Sequence, residues 1–268
     1  MDTARAQLIK RIASICVFVP AILYLVWAGD LMLLLLVLCI VARGSWEFYH
    51  LLKTAGYQPW TIVGTLSAVG LVLHIHFRPE AGLTLPLTSI VVLALAVGLL
   101  GGTERYIVNT TTTLGGAILF GLLGSTPILI AATGGKTYLL MAVFVSIWVT
   151  DAAAYIAGNL WGKRKLAPNI SPGKTRVGFV AGLLGGLAPL LFCDLLPIFS
   201  TAELIGLCLV ASVGGQIGDL VESAWKRDVG VKDSSVLIPG HGGVLDRFDS
   251  YFFAFPLTYL YLMLLLSF

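Results

Sequence analysis

Charge is what this chain has least of. Of its 268 residues only 12% are Asp, Glu, Lys or Arg, while 57% are hydrophobic; soluble domains carry about 25% charged residues. A soluble core of this size could not hide so much apolar surface, whereas lipid can, so a membrane protein is expected. The formal net charge of +3 is too small to imply a nucleic-acid partner. Cysteine is equally sparse. Cys16, Cys39, Cys193 and Cys208 lie in or at the ends of apolar runs, with no CxxC and no metal-ligand spacing, so packing is their expected role. Internal repeats and low-complexity segments are absent as well. Gly173-Lys174-Thr175 should not be mistaken for a nucleotide-binding P-loop, which needs a preceding strand and a glycine at position 168, where this chain has Pro168.

What is present is a series of long apolar runs. A bilayer-spanning helix needs about 20 mostly apolar residues. Nine stretches qualify or nearly so: 12–28, 31–49, 61–77, 83–100, 113–132, 137–158, 177–196, 203–221 and 250–267. The first follows Arg5, Lys10 and Arg11 and reads as an uncleaved span, because no small-x-small cleavage site follows it. Gly29-Asp30 makes the first two a tight hairpin. The expected fold is all-α, a single integral membrane domain over residues 1–268, with N-terminal helices over 1–140 and a catalytic half over 141–268.

The placement of Lys and Arg orients these helices. With the N-terminus in the cytosol and nine alternating spans, 15 of the 17 basic residues fall on the cytosolic side and only Arg78 and Lys136 on the other. Such an asymmetry follows the positive-inside rule. Two cytosolic loops, 159–176 and 222–249, hold most of the remaining charge, so water-dependent chemistry is expected there, in a polar cavity facing the cytosol.

Within the second loop, Asp219, Ser223 and Lys226 are spaced i, i+4, i+7, and Glu222 pairs with Lys226 if the eighth helix runs past residue 221. Asp219 ends an apolar run, where an unpaired carboxylate is costly and a functional role is the default reading. Asp246 and Asp249 lie one turn apart at the expected start of the last helix. They read either as anchors of that helix N-terminus or as ligands of a hard cation. Gly240, Gly242 and Gly243 around His241 are able to turn backbone N–H groups toward an anion. Lys226, Arg227, Lys232 and Arg247 supply positive charge for phosphates. In the first loop, Lys174 beside Ser171 and Thr175 is the better phosphate candidate, while Lys163, Arg164 and Lys165 read as topology signals. Asp151, near the cytosolic end of an apolar helix, is either functional or hydrogen-bonded to Tyr155 or another helix.

The run Ser223-x-x-Lys226-Arg227, then Lys232-Asp233, then His241-Gly242-Gly243-x-x-Asp246-Arg247-x-Asp249 resembles the signature of the phosphatidate cytidylyltransferases, or CDP-diacylglycerol synthases. A second block is similar to the same family: Asp151, Ala154-Tyr155, Gly158, Gly162-Lys163 and Ser171-Pro172-x-Lys174-Thr175. Gly173 and Arg176-Val177-Gly178 depart from that family's usual residues. The resemblance implies transfer of a cytidylyl group from CTP to phosphatidic acid, with Mg²⁺ as cofactor in a one- or two-metal centre. Asp219, Asp246 and Asp249 are then the metal ligands. Lys226, Arg227 and Arg247 join them as catalytic residues. Ser223, Lys232, His241, Gly242, Gly243, Lys174, Ser171, Thr175 and Asp151 are the substrate-binding set. It also implies a homodimer in a bacterial inner membrane, with the site facing the cytosol. A transporter is disfavoured by the missing inverted repeats. A CDP-alcohol phosphatidyltransferase is disfavoured because its Asp-Gly-x-x-Ala-Arg pattern is absent.

Overall fold

The computed structural model describes residues 18–133, 136–195, 199–235 and 242–266. The chain is helical over most of that length. The elements are α1 (Phe18–Ala28), α2 (Asp30–Thr54), α3 (Thr61–Phe77), α4 (Thr84–Gly98), α5 (Tyr106–Ala132) and α6 (Lys136–Trp161), then β1 (Lys165–Ala167) and β2 (Ser171–Thr175). After these come α7 (Arg176–Gly185), α8 (Thr201–Asp228), α9 (Leu245–Phe248) and α10 (Tyr251–Leu266). Each expected apolar stretch overlaps one of these helices. Six are long and apolar enough to cross a membrane, and three shorter apolar ones span Phe18–Ala28, Thr61–Phe77 and Arg176–Phe192. The protein is therefore a helical, polytopic membrane protein. Gly29, with φ +66°, makes the sharp turn between α1 and α2 that a side chain would resist.

Three details differ from the sequence-based expectation. The first cytosolic loop is not irregular: β1 and β2 form a small antiparallel hairpin, pairing Lys165 with Thr175 and Ala167 with Ser171. Its apolar content is too short to show a strand period in the sequence. The last helix does not start at 250 in one piece. It is preceded by the separate turn α9, and Asp249 sits in the break, where its Oδ1 accepts the Ser250 N–H at 2.5 Å. Asp246 and Asp249 thus do not share one continuous helix. The expected second span ends at 49, but α2 continues to Thr54 and keeps Arg43 within the helix.

The contacts divide the chain into two compact units. One comprises Met1–Ile128 with Val229–Phe248, the other Leu129–Asp228 with Asp249–Phe268.

In the first unit α2 packs on α3 and α5 around Tyr49. Its ring is fully buried and its hydroxyl donates to the Thr113 carbonyl at 2.7 Å. Gly64 and Gly116 make room for that ring, since a Cβ at either would overlap it. In the second unit α6, α7 and α8 approach through small residues. Ser146 Oγ donates to the Gly186 carbonyl at 2.8 Å and Thr150 Oγ1 to Ser212 Oγ at 2.9 Å. Close backbone approach with interhelical hydroxyl bonds is the way helices associate in lipid, where no hydrophobic force drives them together.

Candidate active site

In the second unit the β1–β2 hairpin delivers Lys174 to α8. Its Nζ lies 2.8 Å from Asp219 Oδ2 and 3.3 Å from the Gln216 carbonyl. The pair is partly open, with side-chain exposures of 22% and 37%, so it contributes at most about 1 kcal/mol to stability. Its significance is local charge, not fold stability. Asp151 on α6 interacts electrostatically with both Asp219 and Lys174. Asp249 is within the electrostatic reach of Asp219, Glu222 and Asp151. Asp219 and Asp151 thus lie near one lysine, and Asp249 lies near both carboxylates. Asp151 is exposed and Asp249 half-buried. Among the described residues Asp151 makes no hydrogen bond to Tyr155.

The surrounding residues fix this geometry. As expected, α8 runs past residue 221, so Glu222 and Lys226 form an ion pair one turn apart and Ser223 Oγ reaches Asp219 Oδ1 at 3.4 Å. A Cβ at Gly218 would stand 2.6 Å from the Asp249 carbonyl oxygen, so glycine there lets α8 approach the break that carries Asp249. Thr175 is buried and caps α7, accepting the Gly178 N–H at 3.1 Å. Ser171 is half-buried at the start of β2. Arg227 is exposed, and its Nε donates to the Ile170 carbonyl in the hairpin turn at 3.4 Å.

In the first unit the motif loop is organised around two carboxylates. Asp246 Oδ2 accepts from Ser234 Oγ at 2.8 Å, Ser234 N at 3.0 Å and Gly243 N at 2.7 Å. The Gly243 N–H, expected to face an anion, faces this one. Gly242 has φ +77°, a conformation that only glycine adopts without strain. Lys232 and Arg247 are exposed. His241 and Gly240 lie outside the described residues.

The second carboxylate, Glu47, escaped the sequence reading. It is 1% exposed and sits on α2. Its Oε1 accepts from Arg43 Nε at 3.0 Å and Ser235 Oγ at 2.8 Å, and its Oε2 from Leu245 N at 2.7 Å. The available signal was an Arg and a Glu at i, i+4 inside an apolar run, where ionised groups are costly unless used.

A profile of the cytidylyltransferase family matches residues 9–265. The chain belongs to the cytidylyltransferase family. It is 50% identical over 125 residues to a protein of Staphylococcus saprophyticus named phosphatidate cytidylyltransferase, covering 46% of this chain and 48% of that one. Proteins of the same name from Staphylococcus aureus and Staphylococcus epidermidis are also 50% identical, over 127 and 125 residues, with the same coverage. The matched segment thus spans about half the length of these relatives.

Mg²⁺ is the ion the resemblance implies. Among the described residues no group of three or more His, Cys, Asp or Glu side chains is gathered closely enough to enclose a metal. A cation bound beside Asp219 would offset the like charge of Asp151 and Asp249, which lie within its electrostatic reach.

Proposed function

We propose that the chain transfers the cytidylyl group of CTP to phosphatidic acid, giving CDP-diacylglycerol and pyrophosphate, at the cytosolic face of a bacterial cell membrane. The observation that carries this reading is the accessible Lys174–Asp219 pair beside Asp151 and Asp249, in a chain of the cytidylyltransferase family. The name of the staphylococcal relatives supports the same substrates.

In this reaction an oxygen of the lipid phosphate monoester attacks the α-phosphorus of CTP in line. The bond from that phosphorus to the bridging oxygen breaks, and pyrophosphate leaves. A phosphate monoester has its second pKa near about 6, so the nucleophile is already an anion at neutral pH and no strong base is required. The obstacle is the meeting of two anions, and catalysis is positioning plus charge neutralisation.

Asp219 and Asp249 would hold Mg²⁺. Mg²⁺ held there would supply positive charge to the triphosphate and to the departing pyrophosphate. Lys174 neutralises a phosphate oxygen beside Asp219. Arg227 and Arg247, both exposed, take phosphates in bidentate fashion. Nine spans with a cytosolic N-terminus place the 159–176 and 222–249 loops together on the cytosolic side. The six long and three shorter apolar helices support that count. A homodimer is proposed on the family resemblance alone.

The test is direct. Purified protein with CTP, phosphatidic acid in mixed micelles and Mg²⁺ yields CDP-diacylglycerol and pyrophosphate, and chelation stops turnover. No CDP-lipid under these conditions overturns the proposal, and comparable rates with ATP redirect it to a lipid kinase.

A further inference from the structure

A buried carboxylate needs a reason. Glu47 stands on α2 at 1% exposure, in a helix otherwise apolar enough to cross a membrane. Leaving an ionised group there without partners costs several kcal/mol in general. Arg43, one turn earlier, answers for part of the charge with its Nε at 3.0 Å. That pair would be complete as a helix i, i+4 contact and would need no other part of the chain. Yet Glu47 has three more contacts, all from a segment 187 or more residues away: the Ser235 hydroxyl at 2.8 Å, the Leu245 N–H at 2.7 Å and the Ser234 hydroxyl at 3.4 Å.

These contacts act on the segment that carries the signature. Leu245 is the first residue of α9, so its N–H is one of the donors that a helix start leaves without an intrahelical partner. Glu47 supplies that acceptor from another helix. Ser234 Oγ has one proton and lies 2.8 Å from Asp246 Oδ2 against 3.4 Å from Glu47 Oε2, so Asp246 is its principal acceptor. A Cβ at Gly243 would strike both the Glu47 carboxylate and the Ser234 hydroxyl. The two carboxylates therefore hold opposite sides of one turn, with Glu47 fixing it to α2 and Asp246 closing it on itself.

We infer that Glu47, held by Arg43, is a positioning residue for the reaction: it sets where α9 begins and hence where Asp246 and Arg247 stand. This rests on the cytidylyltransferase reading above. Glu47 touches no substrate in this account. It acts through the Leu245 N–H, Ser235 and the Ser234–Asp246 contact.

The test pairs an activity arm with an arm that needs no activity. Glu47→Gln keeps the shape but weakens acceptance by removing the charge, and Ser235→Ala removes one donor while sparing the buried group. Hydrogen exchange of the 242–248 peptide is expected to speed up at least tenfold in Glu47→Gln and by a smaller factor in Ser235→Ala. At a temperature where circular dichroism shows each variant fully folded, kcat of Glu47→Gln is expected to fall tenfold or more, with KM for phosphatidic acid within twofold of the parent. A residue that only stabilised the fold would leave kcat of the folded fraction unchanged. Unchanged exchange in 242–248 overturns the inference. So does faster exchange with kcat within twofold of the parent. If Glu47→Gln does not fold, Ser235→Ala decides by the same two readings. If the parent makes no CDP-lipid, the activity reading falls, and the exchange arm still judges the hold of Glu47 on the turn.

Discussion

Asp219 and Asp246 belong to the same sequence signature, yet the structure treats them in opposite ways. Asp246 is built into its own turn, its Oδ2 accepting two backbone N–H groups and a hydroxyl at 3.0 Å or less. Asp219 takes no backbone donor among the described residues. Its nearest partner is the mobile end of a lysine at 2.8 Å, and its serine contact is long at 3.4 Å. A carboxylate whose lone pairs are committed to backbone donors organises structure. One held only by a side-chain cation, beside two further carboxylates, is able to exchange that cation for another. The contrast, on the reading proposed above, would separate a ligand-holding carboxylate from a loop-organising one within one motif.

The sharpest way to break the contrast is Asp219→Asn. Turnover is expected to fall by about 100- to 1,000-fold, the usual loss when one preorganised electrostatic group of an active site is removed. Thermal unfolding in detergent is expected to move little, since a partly exposed ion pair contributes only about 0–1 kcal/mol. Near-parental turnover would show that Asp219 holds neither metal nor substrate. A large drop in unfolding temperature would place it with the structural carboxylates.

Asp246→Asn tests the other side. The replacement puts an NH₂ among hydrogen-bond donors. Loss of a buried acceptor costs about 1–3 kcal/mol, which for a chain of this size corresponds to a shift of about 2–4 °C per kcal/mol. Both the unfolding temperature and turnover are expected to fall. Loss of turnover at unchanged stability would mean that Asp246 acts as a ligand first, and the contrast with Asp219 would dissolve.

How much of this was legible beforehand follows from the range of the interactions. Helices were readable because each apolar run is local, and the Glu222–Lys226 and Ser223–Asp219 contacts because they are one turn apart on α8. The motif blocks brought Asp151, Lys174, Asp219 and Asp249 to attention, and the structure gathers these four. Glu47 was not readable, because its meaning depends on partners 187 to 198 residues away. Thr175 stood out as a phosphate candidate by its neighbours in sequence, but its hydroxyl caps α7, a role set by where β2 ends. The split between α9 and α10 was hidden because Asp249 captures the N–H of Ser250, a local event with no hydropathy signature.

The smallest expected effect comes from two serines that mirror each other. Ser234 Oγ donates to Asp246 at 2.8 Å, while Ser223 Oγ reaches Asp219 at only 3.4 Å. A typical hydrogen bond contributes about 0.5–1.5 kcal/mol net, and more when the acceptor is charged, but the contribution decays as the bond lengthens past ordinary distances. Ser234→Ala should therefore lower the unfolding temperature measurably, and Ser223→Ala should not. For Ser223 the informative quantity is kinetic. The signature assigns it to substrate binding, and its hydroxyl, so weakly engaged by Asp219, is able to turn toward a phosphate when CTP arrives. Ser223→Ala is then expected to raise KM for CTP several-fold at nearly unchanged kcat, the pattern of a group that binds ground and transition states alike. If both KM and kcat stay at parental values, Ser223 is a bystander of the helix surface. If the unfolding temperature falls as far as for Ser234→Ala, Asp219 is held by its own helix as firmly as Asp246 is held by its loop, and it cannot be the freer carboxylate.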